Sequence, residues 1–220
     1  MPELTLVIGT RNYSSWSLRP WLLLRHLGLE FGERLIHLDT PEFAREVPKL
    51  SPSHRVPALL HGATTVWESL AICEYVSELA GGRGWPRQTE QRAHARSVAA
   101  EMHAGFGALR SSCPMNARAR ARRVPMTDAL ARDIERIDEI WSDCRLRYGS
   151  RGPWLFGDYS VADAMFAPVA LRIRTYGLVT STGAAGYQAT VLADEHLREW
   201  IAAAMIEGVV VAADEAGVQA

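Results

Sequence analysis

The sequence predicts a two-part fold in which an α/β domain precedes an all-helical domain. Strand-like and helix-like segments alternate over the first 80 residues, in the order β-α-β-α-β-β-α. A glycine-rich stretch at residues 81–86 breaks the pattern, and apolar residues beyond it recur at helical spacing. Such alternation is typical of a mixed sheet covered by helices, and the β-α-β start implies a parallel pair joined by a right-handed crossover.

The predicted first domain has a thioredoxin-like order of elements. Strands are expected at residues 4–8, 35–38, 56–60 and 64–67, and helices at 18–27, 41–47 and 69–79. Gly28 stops the first helix, and a turn at 61–63 joins the last two strands into a hairpin. We therefore assign residues 1–81 to the first domain, 82–89 to a linker and 90–220 to the second domain.

The second domain has the apolar periodicity of helices. Its clearest stripe, with spacings of four, three, four and three, consists of Leu130, Ile134, Ile137, Trp141 and Cys144. A further helix is predicted over residues 161–176. Another helix is indicated by Leu197, Ile201, Met205 and Ile206. An all-helical domain of about 130 residues has an ordinary size for one domain.

The composition argues against several classes of function. A formal charge of -1 and a pI near 6.7 do not suit a nucleic-acid binder, which needs a basic excess or a basic face. The basic run at residues 118–123 has no interleaved aromatic residue, so we interpret it as a solvated helix end or interhelical loop rather than a phosphate site. No apolar stretch reaches the ~18 residues of a membrane span, and we expect no export signal.

The three cysteines, Cys73, Cys113 and Cys144, form neither a C-x-x-C pair nor a metal-like spacing. Their odd number suits a reducing compartment. We therefore expect a cytoplasmic protein without a metal site. Cys73 lies on the apolar side of a predicted helix and is expected in the core.

The loop before the first helix carries the residues most suited to chemistry. With Ser17 as N-cap, Pro20 would be the third helical residue, where its missing N–H needs no partner. Ser14 and Ser15 would then lie just outside the helix N-terminus, where a hydroxyl and the helix dipole favour a sulfur anion over a thiol. The alternative, that the serines only cap the helix and shape the loop, is about equally supported.

Two recognition features flank the predicted hairpin. Pro57 cannot donate to a sheet ladder, which leaves the backbone of Val56 available to a peptide ligand. Ser69 at a helix N-terminus offers a hydroxyl and backbone N–H groups to a carboxylate, and Glu68 can accept from an ammonium group. Together they predict a site for the amino-acid end of a small peptide.

These features, in this order, resemble the cytosolic glutathione transferase family. The resemblance rests on the serine-rich loop after the first strand, Val56-Pro57 before a hairpin, Glu68-Ser69 at a helix start and a helical second domain. Residues 157–163 also resemble the family's N-capping box, in which Asp163 reaches back to a backbone N–H. The resemblance covers the whole chain and is closest to bacterial serine-type enzymes of the zeta and theta kinds.

The resemblance implies which residue activates the glutathione thiol. Ser14 is the first choice, Ser15 the second and Tyr13 the third, because a phenol serves other classes of the family. The zeta class carries Ser-Ser-Cys, whereas this chain has Trp16 after its two serines.

The resemblance also implies how glutathione is bound. The expected binding residues are His54, Arg55, Val56, Pro57, Glu68 and Ser69. The backbone of the valine, next to a cis proline, would pair with the cysteinyl unit. The glutamate and serine would hold the γ-glutamyl end, and the histidine and arginine would face the glycine carboxylate.

The electrophile is expected between the two domains. Its candidate contacts are Tyr13, Trp16, Met102, Phe106, Arg174 and Tyr176. Arg172 lies on the same predicted helix as Arg174, and either could clamp a carboxylate of a dicarboxylic substrate. We favour the alternative that these arginines form salt bridges within the second domain.

The resemblance implies a cytoplasmic homodimer that conjugates the thiolate of glutathione, its cosubstrate, to small apolar electrophiles. One alternative is a glutathione-dependent isomerase, similar to maleylacetoacetate isomerase, or a peroxidase, because a fold does not determine a reaction. Another is a non-catalytic binding protein with the same fold.

Overall fold

A computed structural model describes residues 3–219, and the N-terminal part folds around a four-stranded mixed sheet. Its elements are β1 (Leu4–Ile8), α1 (Ser15–His26), β2 (Gly32–Leu35), α2 (Pro41–Leu50), β3 (Ala58–His61), β4 (Thr64–Trp67) and α3 (Ser69–Leu79). The strand order is β2-β1-β3-β4, with β1 parallel to β2 and the other pairs antiparallel. The predicted thioredoxin-like order of elements is confirmed.

Helix α1 begins earlier than the sequence predicted. Ser14 is its N-cap, not Ser17, because the Ser14 hydroxyl accepts from the backbone N–H of Ser17. Pro20 therefore lies in the second turn of the helix rather than in the first. The proline removes one helical hydrogen bond, and the burial of apolar side chains such as Leu18 and Trp21 along the helix offsets this loss.

Three other predicted boundaries shift by two or three residues. β2 lies earlier than predicted because the parallel register places Leu35 opposite Ile8, the last residue of β1. Helix α2 runs three residues past its predicted end. β3 begins at Ala58, so Val56 and Pro57 precede the ladder.

The second part of the chain is mostly helical. Its helices are α4 (Thr89–Ala104), α5 (Gly107–Ser112), α6 (Asp128–Tyr148), α7 (Val161–Tyr176), α8 (Thr182–Ala193) and α9 (Glu195–Ile206). Helix α7 coincides with the predicted helix and is buried along nearly its whole length. The apolar stripe predicted for α6 is buried too. The helix predicted from Leu197, Ile201, Met205 and Ile206 corresponds to α9, in which Leu197 is buried while Met205 and Ile206 are exposed.

A short sheet departs from the all-helical prediction. β5 (Arg122–Arg123) pairs antiparallel with β6 (Val218–Gln219). The arginine run of residues 118–123 lies in the connection between α5 and α6, as the sequence predicted. It is not simply solvated, however, because several of its side chains bind other parts of the chain.

We call residues 207–219 the C-terminal strap. At one end Glu207 accepts from the backbone N–H and the guanidinium group of Arg11, at 2.8 and 2.9 Å. At the other end Glu215 accepts from Arg122 at 2.7 Å. The strap therefore connects the end of α9 with the loop after β1.

Helix α1 joins the two parts of the molecule. It packs against α3 and also against α7 of the second part. One hydrophobic core includes Leu22 and Leu24 of α1 together with Phe166 of α7. This packing places the N-terminus of α1 where the two parts meet. Between residues 3 and 219, no helix is both long and apolar enough to cross a membrane.

Candidate functional site

Ser14 is held at the N-terminus of α1 by a tight loop. Its backbone N–H donates to the carbonyl of Thr10 at 2.8 Å. Its hydroxyl donates to the hydroxyl oxygen of Ser17 at 2.7 Å, and that oxygen also accepts from the backbone N–H of Gly9 at 3.1 Å. The Ser14 hydroxyl therefore sits at the positive end of a helix, the position at which a hydroxyl favours an anion.

The other two candidates for the activating residue, Ser15 and Tyr13, form hydrogen bonds with other side chains. The Ser15 hydroxyl accepts from Arg172 at 3.3 Å. The Tyr13 hydroxyl donates to Glu215 of the strap at 2.6 Å and accepts from Arg118 at 3.0 Å. Burial, together with the hydrogen bond to Glu215, raises the pKa of Tyr13. The phenolate form of Tyr13 is therefore disfavoured.

Val56 and Pro57 lie at the end of β3 that faces α1. The peptide bond between them is cis, as the resemblance implied. Val56 is half-buried and stands just before the ladder, while Pro57 is buried. The neighbouring Arg55 is exposed, and His54 is exposed with a positive φ of 56°.

Glu68 and Ser69 meet at the start of α3. Glu68 has a positive φ of 71°, a strained conformation for a residue other than glycine, and such strain is frequent at ligand sites. Its carboxylate lies 3.5 Å from Nε2 of His103, which comes from α4 of the second part. Ser69 is 1% exposed, and its hydroxyl has no hydrogen-bond partner among residues 3–219.

A cavity of about 340 Å³ opens between the two parts, next to the N-terminus of α1. Residues predicted from the sequence that line it are Tyr13, Ser14, Ser15, Trp16, Arg55 and Val56. Lining residues that the predicted site lacked are Leu38, Phe43, Arg110, Pro114, Met115 and Asp214. Three of these, Pro114, Met115 and Asp214, come from the connection after α5 and from the strap, where neither spacing nor periodicity points to a site.

Four predicted electrophile contacts lie outside this cavity. Met102 and Phe106 are buried in the hydrophobic core. Tyr176 lines a separate groove near β5, and Arg174 donates to the carbonyl of Ala117 at 3.1 Å. Their contact with an electrophile stays a prediction.

Arg172 does line the cavity. Its guanidinium group donates to the carbonyl of Cys113 and to Ser15, and burial lowers its pKa to about 10. The salt bridges that we favoured for Arg172 and Arg174 are absent among residues 3–219. Arg172 is thus a buried cation on the wall of the cavity that forms no direct salt bridge in the described chain, although the charge of Asp214, which lines the same cavity, favours its protonated form.

Arg19 is a second buried cation, which the predicted site missed. It is fully buried in α1, its three guanidinium nitrogens have no partner in the described part of the chain, and its pKa is lowered by burial and by nearby arginines. The Trp16 ring lies 4.2 Å from it. A single arginine within the otherwise apolar run 18–24 is the sequence signal that could have found it.

The cysteines do not contribute a nucleophile to the cavity. Cys73, Cys113 and Cys144 are free and buried. Burial raises the pKa of Cys73 and of Cys144 to about 12, and that of Cys113 to about 11. The prediction that Cys73 belongs to the core is confirmed. In the described residues, no group of three or more His, Cys, Asp or Glu side chains could hold a metal ion.

Comparison with known proteins agrees with this geometry. The family model described as "Glutathione S-transferase, N-terminal domain" matches residues 13–79, the segment from the serine loop to the end of α3. Residues 13–79 thus form a domain of the glutathione S-transferase N-terminal family. The matched segment includes Ser14, the cis Val56-Pro57 bond and the Glu68-Ser69 pair.

The individual relatives are distant in sequence. Maleylacetoacetate isomerase of Rattus norvegicus is 26% identical over 162 residues, which cover 72% of each chain. Dichloromethane dehalogenase of Methylorubrum extorquens is 37% identical over 71 residues, covering 30% of this chain and 25% of the dehalogenase. A glutathione transferase homolog from Burkholderia gl BGR1, solved with bound glutathione, has a TM-score of 0.69 at 23% identity and covers 92% of this chain and 98% of its own.

Proposed function

We propose that the protein is a serine-type glutathione transferase that binds glutathione, stabilises its thiolate at Ser14 and transfers it to a small electrophile. One arrangement carries the proposal. Ser14, at the N-terminus of α1, lines the same cavity as Val56, whose bond to Pro57 is cis. The relatives named as isomerase, dehalogenase and glutathione-bound transferase homolog support glutathione chemistry on this scaffold.

Glutathione would lie along the edge that joins these features. The backbone of Val56 pairs with the cysteinyl unit and brings its sulfur toward Ser14. Glu68 and Ser69, at the start of α3, receive the γ-glutamyl ammonium and carboxylate groups. Arg55, with His54 beside it, faces the glycine carboxylate. The proposal thus assigns one group of residues to each of the three units of the tripeptide.

Ser14 would act on the sulfur as a hydrogen-bond donor. Its hydroxyl, now bound to Ser17, turns to the sulfur when glutathione arrives, and the positive end of α1 adds to the same effect. Lowering a thiol pKa of about 8.5 by two units requires about 2.7 kcal/mol of preferential interaction with the thiolate. The thiolate then attacks the electrophile, and the protein itself forms no covalent bond.

A second candidate function is isomerisation of a dicarboxylic substrate through a transient glutathione adduct. One observation favours it: Arg172 places a buried guanidinium group on the cavity wall next to Ser15 and Cys113, and it forms no direct salt bridge in the described chain. A substrate carboxylate would supply a direct ion-pair partner. The 26% identity to maleylacetoacetate isomerase supports the same idea.

We also propose that the protein acts as a homodimer in the cytoplasm. Its three free, buried cysteines suit a reducing compartment. Sedimentation analysis at micromolar concentration tests the dimer directly, since a species of 24.3 kDa would contradict it.

We also propose the predicted domain division, with a first domain that ends at residue 81 and a linker that ends at residue 89. Helix α4 begins at Thr89.

The test of function uses immobilised glutathione and an activated chloroarene. We expect the wild type to be retained and to conjugate the chloroarene, Ser14→Ala to be retained with activity about 100-fold lower, and Ser15→Ala to stay active. A wild type that neither binds glutathione nor conjugates any electrophile would refute the proposal. Retention without conjugation, unchanged in Ser14→Ala, would identify a non-catalytic binding protein instead.

The isomerase candidate has its own assay. A cis-unsaturated dicarboxylic acid is offered with glutathione, and its conversion to the trans isomer is followed for wild type and Arg172→Met. Loss of isomerisation in Arg172→Met with chloroarene conjugation retained would support the carboxylate role. Equal loss of both activities would contradict it.

A further inference from the structure

We propose that a second cavity, at the C-terminal end of α1, binds a small organic anion that joins a flat apolar body to a phosphate group. The cavity has a volume of about 520 Å³, which is an ordinary size for a small-molecule site. It shares no lining residue with the cavity beside Ser14. His26 and Leu27 line it, whereas Ser14 caps the other end of the same 12-residue helix, about 18 Å away.

Three arginines give this cavity an excess of positive charge. Arg83 and Arg87 come from the connection between α3 and α4, and Arg151 comes from the segment between α6 and α7. None of the three forms a salt bridge in the part of the chain that the structure describes. The lining residues include one carboxylate, that of the exposed Asp158. The cavity therefore favours an anion.

Two of these guanidinium groups are held in place by neutral acceptors. Arg83 donates to the carbonyl of Ala80 at 3.1 Å and to that of Leu27 at 3.0 Å. Arg151 donates to Oε1 of Gln91, which is 5% exposed, at 3.2 Å. Because these acceptors carry no net charge, they orient the guanidinium groups and leave their positive charge uncompensated. An anion would therefore meet groups that are already in place, which lowers the entropic cost of binding.

Arg87 has no comparable structural contact. Its side chain is exposed and makes no hydrogen bond within residues 3–219, while its backbone carbonyl accepts from Arg92 at 2.7 Å. A role in holding the two parts of the molecule together would account for Arg83, but it does not account for Arg87. The planar guanidinium group of Arg87 is free to bind phosphate oxygens in pairs.

The rest of the wall suits a flat apolar group. Its apolar members are Leu27, Trp85, Pro86, Phe156 and Tyr159. The Tyr159 ring stacks on that of His26 with the ring centroids 3.4 Å apart, and Nε1 of Trp85 donates to Glu74 at 2.9 Å. These contacts fix the aromatic side chains, and aromatic walls favour flat ring systems.

The charge of the wall indicates the kind of anion. A phosphate monoester carries a charge between about -1.5 and -2 at neutral pH and offers three acceptor oxygens, which suits three guanidinium groups better than a single carboxylate does. The ligand class is therefore an aryl phosphate or a molecule of similar form. Its binding would be independent of the proposed function, because the two cavities have no residue in common.

The experiment uses 1-naphthyl phosphate as the probe, with binding measured by calorimetry. We expect one molecule per chain with a Kd of about 10–100 µM, as is reasonable for a ligand of this size. 1-Naphthol lacks the phosphate and inorganic phosphate lacks the rings, so each should bind at least about 10-fold more weakly. Absence of 1-naphthyl phosphate binding, or equal binding of 1-naphthol, would overturn the inference.

Variants locate the probe. The double variant Arg87→Ala/Arg151→Ala should weaken binding by about 10-fold or more, and Arg87→Ala alone, which removes no hydrogen bond of the fold, by about threefold to 10-fold. Arg132→Ala, at an exposed position of α6, is the matched control and should bind like the wild type. Unchanged affinity in the double variant, or the same loss in Arg132→Ala, would overturn the inference.

A competition experiment separates the two cavities. S-hexylglutathione, a ligand for the cavity beside Ser14 under the proposed function, should leave the affinity for 1-naphthyl phosphate within about twofold of its original value. Displacement of the probe by S-hexylglutathione would overturn the inference and leave the proposed function standing. A wild type that does not bind S-hexylglutathione, but loses the probe in Arg87→Ala/Arg151→Ala, would overturn the proposed function and support the second site.

Discussion

The hydroxyl of Ser14 donates to the hydroxyl oxygen of Ser17 at 2.7 Å, and the same Ser17 oxygen accepts from the backbone N–H of Gly9 at 3.1 Å. The Ser14 proton is therefore already directed at the N-terminus of α1 before any ligand arrives. In the proposed function, this hydroxyl rotates from Ser17 to the thiolate of glutathione, while Ser17 keeps its hydrogen bond to Gly9.

The Ser17→Ala variant tests this division of roles. Removing the Ser17 hydroxyl leaves the buried N–H of Gly9 without its acceptor, so the free energy of unfolding should fall by about 1–3 kcal/mol. Glutathione should still bind. Urea denaturation provides the measurement, and Ser97→Ala, at an exposed position of α4, should change stability by less than about 0.5 kcal/mol. Unchanged stability in Ser17→Ala would contradict the loop role.

Tyr13→Phe should remain an active transferase. The Tyr13 hydroxyl donates its hydrogen bond to Glu215 of the C-terminal strap, and burial raises the pKa of Tyr13. The hydroxyl is therefore not available to a thiolate. We expect conjugation within about threefold of the wild type, measured as kcat/KM for the chloroarene. A loss of about 100-fold would make Tyr13 the activating residue and would exclude Ser14 from that role.

Glu68→Gln should weaken glutathione binding without preventing folding. The carboxylate of Glu68 is the proposed acceptor for the γ-glutamyl ammonium group, and a neutral amide accepts less strongly. We expect the Kd to rise by about 10-fold, consistent with the loss of a charged hydrogen bond. Calorimetry with glutathione and with glutaryl-Cys-Gly separates the outcomes, because the ammonium-free analogue should bind wild type and variant equally. Equal weakening for both ligands would contradict the assignment.

Asp163 should contribute to the free energy of unfolding and not to glutathione binding. It is buried and accepts from the backbone N–H groups of Leu155 and Ser160, both at 2.9 Å, and from the hydroxyl of Tyr187 at 3.0 Å. Asp163→Ala leaves these donors unpaired, so unfolding should become easier by about 3 kcal/mol or more. Asp158→Ala, at an exposed position in the preceding loop, serves as control in chemical denaturation and should be nearly neutral. A neutral Asp163→Ala would contradict the capping role.

Local patterns accounted for most of the fold. The apolar stripe on α6 follows from residue spacing, and the start of α7 follows from the Ser160-Asp163 capping pair. Both features depend only on residues that are close together in the sequence. The start of α1 differs from the predicted one because a proline that would destabilise an isolated helix is tolerated in a helix that tertiary burial stabilises. There Ser14 caps the helix and Pro20 is accepted in its second turn.

The cavity was predictable only in part. Ser14, Val56 and Arg55 belong to short motifs that the sequence presents directly. Asp214 enters the cavity through the strap, whose contacts with the loop after β1 join residues about 200 positions apart. No periodicity connects such residues. Arg110 lies in a short helix, and the residues next to it in the sequence do not distinguish it from a surface arginine.

The pKa of the thiol of bound glutathione tests the central proposal most directly. Thiolate absorbance is titrated against pH for the complexes of wild type, Ser14→Ala and Ser15→Ala. We expect a thiol pKa about two units below its free value in the wild type and in Ser15→Ala, and a value near that of the free thiol in Ser14→Ala. A thiol pKa that stays low in Ser14→Ala, or that rises only in Ser15→Ala, would contradict it.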